Sequence, residues 1–263
     1  MSKEITFYEE GHKYLDEKEN QLLSVSGLAK LYEPEKDWDK ICKRTAKSQG
    51  VSFEFLKAKW KDNNEWATKC GTKLHAIKEQ ELIDNEFSYK GKILDRIVAL
   101  FQSKEYKKSI SQKVKNDSVY PEYLVYSEHY QICGQLDKLI IEDNTIHVYD
   151  IKTDKELKRK AYSSEWQAAE TFLEPISHLE LCNWNEYALK MSVYMYLIWL
   201  NNRHLKMGDL VLEHCIMKRD MEGRIEVDEN NNPIILEIKE YRLPLLLKEA
   251  KLILEHYKNN PTK

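Results

Sequence analysis

Residues 134–152 read GQLDKLIIEDNTIHVYDIK, and three of them have the types and spacing to do chemistry: Asp137, Asp150 and Lys152. Two carboxylates can hold a hard divalent cation, and a neighbouring amine can handle a water or a phosphate. Local structure has to bring them together. Residues 139–141 and 146–149 are strand-like runs, and Glu142-Asp143-Asn144 between them is turn-like, so the stretch predicts a β-hairpin. Antiparallel pairing across that turn sets Asp137 beside Asp150 and Lys152. The latter two lie two residues apart and project from one strand face, while Ile151 points the other way.

Further candidates lie upstream. His75 and Glu79, in the stretch GTKLHAIKE (71–79), are four apart and share a helix face. A neutral imidazole can donate a lone pair to a metal. Glu122 precedes Asp137 by 15 residues, room for one strand and a turn. It could complete a metal shell or orient a water, and Glu128 ranks behind it for the same role. Each has a plainer reading on its own: a packed or surface histidine, a solvated helix charge, an exposed acid at a strand end.

The elements that must position these residues are readable in outline. Residues 5–23 predict a small hairpin turning at Glu9-Glu10-Gly11. Ser24 or Ser26 suits the N-cap of a helix that stops before Pro34. Helical periodicity covers 37–48, 52–61 and 64–86, and a further helix over 91–106 would carry Ile93, Ile97, Leu100 and Phe101 on one stripe. A strand over 119–130 leads into the hairpin. A polar, basic connection then runs to about residue 173. A helix over 184–204, strands over 209–218 and 234–241, and a closing helix with Pro244 in its first turn complete the chain. The expected fold is one α/β domain over 1–263. A central mixed β-sheet flanked by helices (116–263) follows a largely helical N-terminal part (1–115).

Composition narrows the function classes. The chain has 263 residues, 42% of them hydrophobic and 32% charged, so it can bury a sizeable core and is not a disordered or collagenous chain. A net charge of −3 means that any field for nucleic acid is local. The five cysteines are scattered without a CxxC, which argues against a disulfide framework or a zinc knuckle. The opening MSKEITFYEEG has no apolar signal region, and the most apolar run, 193–200, is far short of the ~20 residues that span a bilayer. The expectation is a soluble, cytoplasmic protein with no membrane partner.

The ordered series Gly71-x-x-x-His75-x-x-x-Glu79, Glu122, Gly134-Gln135-Leu136-Asp137, Asp150-Ile151-Lys152 and Tyr187–Tyr194 resembles the PD-(D/E)XK nuclease superfamily. Within it the likeness is to the RecB-like exonuclease branch, including small phage-encoded members. Phe7, His12-Lys13-Tyr14 and Ser24-Val25-Ser26 resemble the N-terminal hairpin of those phage proteins. The likeness covers roughly residues 5–200 and implies a restriction-endonuclease-like core. It implies His75, Asp137 and Asp150 as metal ligands, with the backbone carbonyl of Ile151 beside them. Lys152 would be the catalytic lysine, and Glu79 and Glu122 supporting acids. In that branch the helix after the core usually carries Gln-x-x-x-Tyr; here Lys190 takes the Gln place and Tyr194 is kept. A lysine donates hydrogen bonds but accepts none, so DNA positioning is altered there. The cysteine spacing does not match the four-cysteine members, so no iron–sulfur cluster is expected.

The function this implies is a Mg²⁺- or Mn²⁺-dependent DNA nuclease, an exonuclease in phage or bacterial DNA recombination, repair or processing. Beside DNA, a recombination or single-strand-binding protein would be its partner. The cation would neutralise phosphate charge and acidify a bound water. Its charge would lower the pKa of Lys152, which would then take the water's proton or else stay charged to hold the transition state; both roles stay open. Lys155, Lys158, Arg159 and Lys160 follow the DxK strand as a candidate phosphate track, with Tyr162 and Trp166 placed to stack on bases. Lys104, Lys107, Lys108, Lys113 and Lys115 form a second basic run. Two rivals stand beside this reading. One is a catalytically silent nucleic-acid-binding module on the same fold. The other is a structural or regulatory protein in which Asp150 and Lys152 merely pair at the surface.

Overall fold

The structure is a computed structural model that describes residues 3–8, 13–98, 105–110, 112–163 and 168–261; of 3, 4 and 105–110 only the backbone is described. The expected turn at 9–11, His12, Leu100, Phe101, Lys104 and Trp166 lie outside the described residues, as do the side chains of Lys107 and Lys108.

The fold is α/β, with a mixed sheet and five helices among the described residues. Its N-terminal part holds β1 (Lys3–Tyr8), β2 (Lys13–Leu15), β3 (Gln21–Ser24), α1 (Val25–Lys30), α2 (Trp38–Gln49) and α3 (Phe53–Asp84). Next come β4 (Phe87–Tyr89), β5 (Lys92–Arg96) and β6 (Glu105–Ile110). The sheet carrying the candidate residues is built from β7 (Ser118–Ser127), β8 (Ile132–Glu142), β9 (Thr145–Lys152), β10 (Lys206–Met217) and β11 (Ile235–Leu243). Helices α4 (Asn183–Asn201) and α5 (Leu247–Asn259) complete it.

Local signals set the helix starts. Ser24 Oγ accepts the Gly27 amide at 2.8 Å, Asp37 accepts the Lys40 amide at 2.9 Å and Ser52 accepts the Phe55 amide at 3.1 Å. Gly50 ends α2 at φ 67°, a left-handed position that suits glycine.

Four expectations need correction. The closing helix α5 starts at Leu247, so Pro244 lies ahead of it and not in its first turn. The helix over 91–106 does not exist: β4 and β5 form a hairpin there, and 105–110 pair with β1. Lys90 (φ 48°) and Gly91 (φ 80°) are both left-handed, the backbone of a tight primed turn that continues as strand. Alternation then buries Leu94 and leaves Ile93 exposed. The helices over 52–61 and 64–86 are one continuous α3. The hairpin over 5–23 is three strands, with β2 pairing both β1 and β3. The N-terminal part keeps the helical character expected of it in α1, α2 and α3, with strands in place of the helix over 91–106.

Strand β8 organises the sheet. It pairs along its length with β7, antiparallel. Its other edge changes partner midway: β9 pairs from Glu142 to Lys138, and β3 pairs at Cys133 and Ile132. Among the described residues no strand takes that edge at Gly134, Gln135, Leu136 and Asp137. Strand β9 diverges there and runs on beside β10, parallel, to Lys152↔His214. Helices α1, α4 and α5 pack on the main core, where Leu139, Ile141, Val148 and Leu212 meet Val193, Leu197 and Ile253.

Helix α3 buries little of its length: Leu56, Cys70 and Leu74. The last two pack on Ile151, Cys215 and Met217. Polar ties hold it to the ribbon after β10. Trp66 Nε1 donates to the Ile225 carbonyl at 2.9 Å, Arg224 pairs with Asp62 at 2.6 Å, and Lys73 donates to the Asn230 carbonyl at 2.6 Å. These contacts set His75 over the end of the sheet.

Candidate metal centre

The gap in β8 pairing frees backbone groups, and the site is built from what satisfies them. The Ile151 amide, released where β9 diverges, donates to Asp137 Oδ2 at 2.5 Å. Tyr194 from α4 donates its hydroxyl to the Gln135 carbonyl at 2.9 Å. A Cβ on Gly134 would stand 2.7 Å from that hydroxyl and 3.0 Å from Val25 Cγ2. Glycine is required there so that Tyr194 can lie against the strand. This accounts sterically for the glycine in GQLD.

The other edge of β8 is irregular at the same level. Glu122 and Asp137 fall between the pairs Pro121↔Lys138 and Tyr123↔Leu136, and neither joins the ladder. Glu122 holds φ at 45°, a costly backbone for a non-glycine residue. Tyr120 and Tyr123 pack into one core cluster although three apart, as do Leu136 and Leu139. Strict alternation would send one of each pair to the opposite face, so the pleat slips by one place at Glu122 and Asp137.

His75, Glu122 and Asp137 form a compact cluster, with one ligand atom of each lying within 4.8 Å of the others. His75 Nδ1 stands 3.0 Å from Asp137 Oδ1. Two ligand atoms at right angles on bonds of about 2.1 Å would also stand about 3.0 Å apart. One imidazole nitrogen and two carboxylates are a donor set that divalent metal ions accept. The residues therefore fit a divalent cation. Gln135 Nε2 donates to Glu122 Oε2 at 2.8 Å and orients it. Glu79 lines the same cavity, which holds about 660 Å³ and is also bounded by Phe7, Tyr14 and Thr153.

Asp150 lies outside that cluster. Its Oδ2 pairs with Lys152 Nζ at 2.5 Å, and Lys152 also donates to the Ile151 carbonyl at 3.1 Å. The reason is strand alternation. Ile151 faces Cys70 and Leu74 of α3, whereas Asp150 and Lys152 face α4, with Lys152 Nζ 5.4 Å from the Tyr187 ring. Tyr187 in turn donates to Asp154 Oδ2 at 2.5 Å. The ligand set expected from sequence, His75 with Asp137 and Asp150, is thus two adjoining groups, His75 with Asp137 and Asp150 with Lys152, with Asp137 acting by charge on both members of the second.

Charges across the two groups are tightly linked. Burial alone would push Asp137 up, but its hydrogen bond and charge contact with His75, helped by Lys152, hold it below the usual carboxylate range. Burial pulls His75 down, yet Asp137 raises it overall. Glu122 is pushed up to about 8 by burial first, then by the charges of Asp137 and Glu79. Burial likewise raises Asp150. Lys152 is raised despite its burial, because Asp150 and Asp137 face it. Without a bound cation, these two carboxylates favour the ammonium form of Lys152.

The remaining candidates are spread around this centre. Lys190 pairs with Glu186 at 2.9 Å and lies 5.5 Å from the Tyr187 ring, close enough for its charge to act on Asp150. Tyr194 is buried, with its hydroxyl committed to Gln135. Lys155, Lys158 and Lys160 are exposed. Arg159 is held over Trp184 at 4.4 Å and Tyr241 at 5.5 Å. Glu128, the rival to Glu122, lines a different cavity with Asp16 and Lys18. Of the second basic run, Lys113 donates to the Asn201 carbonyl. Gln135, Asp154 and Tyr187 escaped the reading of roles from sequence. The signal for Gln135 was its place two residues before Asp137.

No helix among the described residues is long and apolar enough to cross a membrane. No family model matches the chain. No curated protein matches it either. Among solved structures, the one described as "Crystal structure of SSO0001" shares 12% identity over 91% of this chain and 76% of that one. Its TM-score is 0.32, too distant a likeness to carry an argument.

Proposed function

We propose that this chain is a metal-dependent DNA nuclease with a restriction-endonuclease-like core of the PD-(D/E)XK type. In this reading it is an exonuclease in phage or bacterial DNA recombination, repair or processing, acting in the cytoplasm. The observation that carries it is one convergence: His75, Glu122 and Asp137 stand together beside the Asp150–Lys152 pair, at the point where β8 and β9 part. The ordered motifs from Gly71 to Tyr194 support the same reading.

His75, Glu122 and Asp137 would hold Mg²⁺ or Mn²⁺, with Asp150 reaching it once its pairing with Lys152 is exchanged. When bound, the cation supplies Lewis-acid charge for a phosphate oxygen and a more acidic water. The chain's own residues do the rest. Lys152, released from Asp150 by that exchange, would offer its ammonium to the charge that builds on phosphorus oxygens. Gln135 fixes the Glu122 carboxylate, and Tyr187 faces the Lys152 ammonium with its ring. Exposed Lys155, Lys158 and Lys160 lead phosphates away from the centre.

The test uses end-labelled single- and double-stranded DNA with Mg²⁺ or Mn²⁺, alongside Asp150→Ala and Lys152→Ala. Cation-dependent cleavage by the wild type, lost in both variants, is expected. Absence of cleavage on every substrate would reject the enzyme; binding without cutting would favour a silent DNA-binding module.

A further inference from the structure

We propose that two copies of this chain pair through β11, edge to edge, in an antiparallel register centred on Ile238. Strand β11 pairs with β10 along Ile235–Leu243. On its other side no described residue pairs with it. A long open edge is a template for another strand, and proteins usually blunt it with prolines, bulges or inward charges. Between Leu236 and Glu240 this edge carries no proline, and its one irregularity against β10 falls at Leu236, at the end of the stretch. Leu236 is 63% exposed and Ile238 is 43% exposed.

The charge pattern selects the occupant and the register. A two-fold antiparallel pair has one residue opposite its own copy. Centred on Ile238, the pairing sets Glu237 against the other copy's Lys239 twice, and Ile238 against Ile238. Centring one residue later stacks Lys239 on Lys239, and the next stacks Glu240 on Glu240; like charges directly opposite destabilise a pair. Centring on Tyr241 shortens the overlap and needs room that Arg159 and Trp184 already hold around that ring. Within one chain Glu237 and Lys239 already meet at 3.1 Å, so both are oriented along the face where the exchange would occur. The strand is thus complementary to itself, and a second copy of this chain fits it.

The test is the oligomeric state of the full chain, followed by light scattering after size exclusion from low to high micromolar concentration. The wild type is expected to reach twice the mass of one chain. Glu237→Lys and Lys239→Glu each place like charges across the pair and should weaken the dimer at least ten-fold. The double exchange, Glu237→Lys with Lys239→Glu, restores complementarity and should restore the dimer. Ile238→Lys should give monomer. All three positions substituted are exposed, and unchanged circular dichroism checks the fold of each variant. A wild type that stays monomeric throughout overturns the proposal. So does a dimer that Ile238→Lys and both single exchanges leave intact, since it would then form through another surface.

Discussion

The Ile151 amide donates to Asp137 Oδ2 at 2.5 Å, so a backbone group freed by the divergence of two strands orients a carboxylate of the candidate metal centre. Asp137 is thereby a structural acceptor as well as a proposed ligand. Replacing it by alanine leaves the Ile151 amide and the His75 ring without their partner, at a cost of about 1–3 kcal/mol. Asp137→Asn keeps the shape and one acceptor oxygen, and should recover part of that cost in urea denaturation. It should not recover cation binding. Equal losses for the two variants would argue against the hydrogen-bonded role.

Gly134 and Tyr194 form a second dependent pair. Gly134→Ala drives a methyl into the Tyr194 ring and hydroxyl, and is expected to cost about 1–3 kcal/mol. Tyr194→Phe gives up the bond to the Gln135 carbonyl, worth about 0.5–1.5 kcal/mol. Because the phenylalanine removes the atom nearest the new methyl, the double variant should lose less than the two singles added together. Strict additivity in a double-mutant cycle would contradict the contact.

Lys152 and Asp150 form a partly buried ion pair, so removing either leaves the other uncompensated. In protein freed of cations, Lys152→Ala should cost about 1–3 kcal/mol, and the double variant with Asp150→Ala should recover some of it. Chemical denaturation of the four proteins measures the coupling. A coupling of zero would show that the pair is not held.

Glu122 gives the protein a pH signature. Its pKa in the fold is about 8, above the ordinary 4.5, because burial and the charges of Asp137 and Glu79 oppose ionisation. The folded state therefore keeps a proton that the unfolded chain releases across that interval. This favours folding fully below the unfolded pKa and is lost as pH rises through the folded one. Glu122→Gln carries no such proton. In cation-free protein the melting temperature of the variant should gain on the wild type between pH 5 and pH 8, by a few degrees. A difference that stays flat with pH would contradict the raised pKa.

The β8–β9 hairpin was legible because its determinants are local. Two strand-like runs around Asp143 and Asn144, both left-handed at φ 48° and 57°, give a turn that brings 137 near 150 without help from the rest of the chain. Ser24 as a helix cap was legible for the same reason. The division of the site was not. It depends on the pleat slipping at Glu122, and a glutamate carries no sequence signal for left-handed backbone. Nor could sequence show that β8 exchanges β9 for β3 at Gly134, since that is set by strands more than a hundred residues apart. The false helix over 91–106 arose from Ile93 and Ile97, whose spacing fits a helix; Gly91 was the local clue to a turn instead.

In the proposed centre one divalent cation sits among His75, Glu122 and Asp137. Anomalous scattering from a crystal grown with Mn²⁺ tests it most directly. The account predicts a single strong peak about 2.1 Å from a His75 ring nitrogen and an Asp137 carboxylate oxygen, with Glu122 or Asp150 completing the set. A protein that cuts DNA with Mn²⁺ while its manganese lies elsewhere, or a crystal with no manganese at these residues, would contradict it.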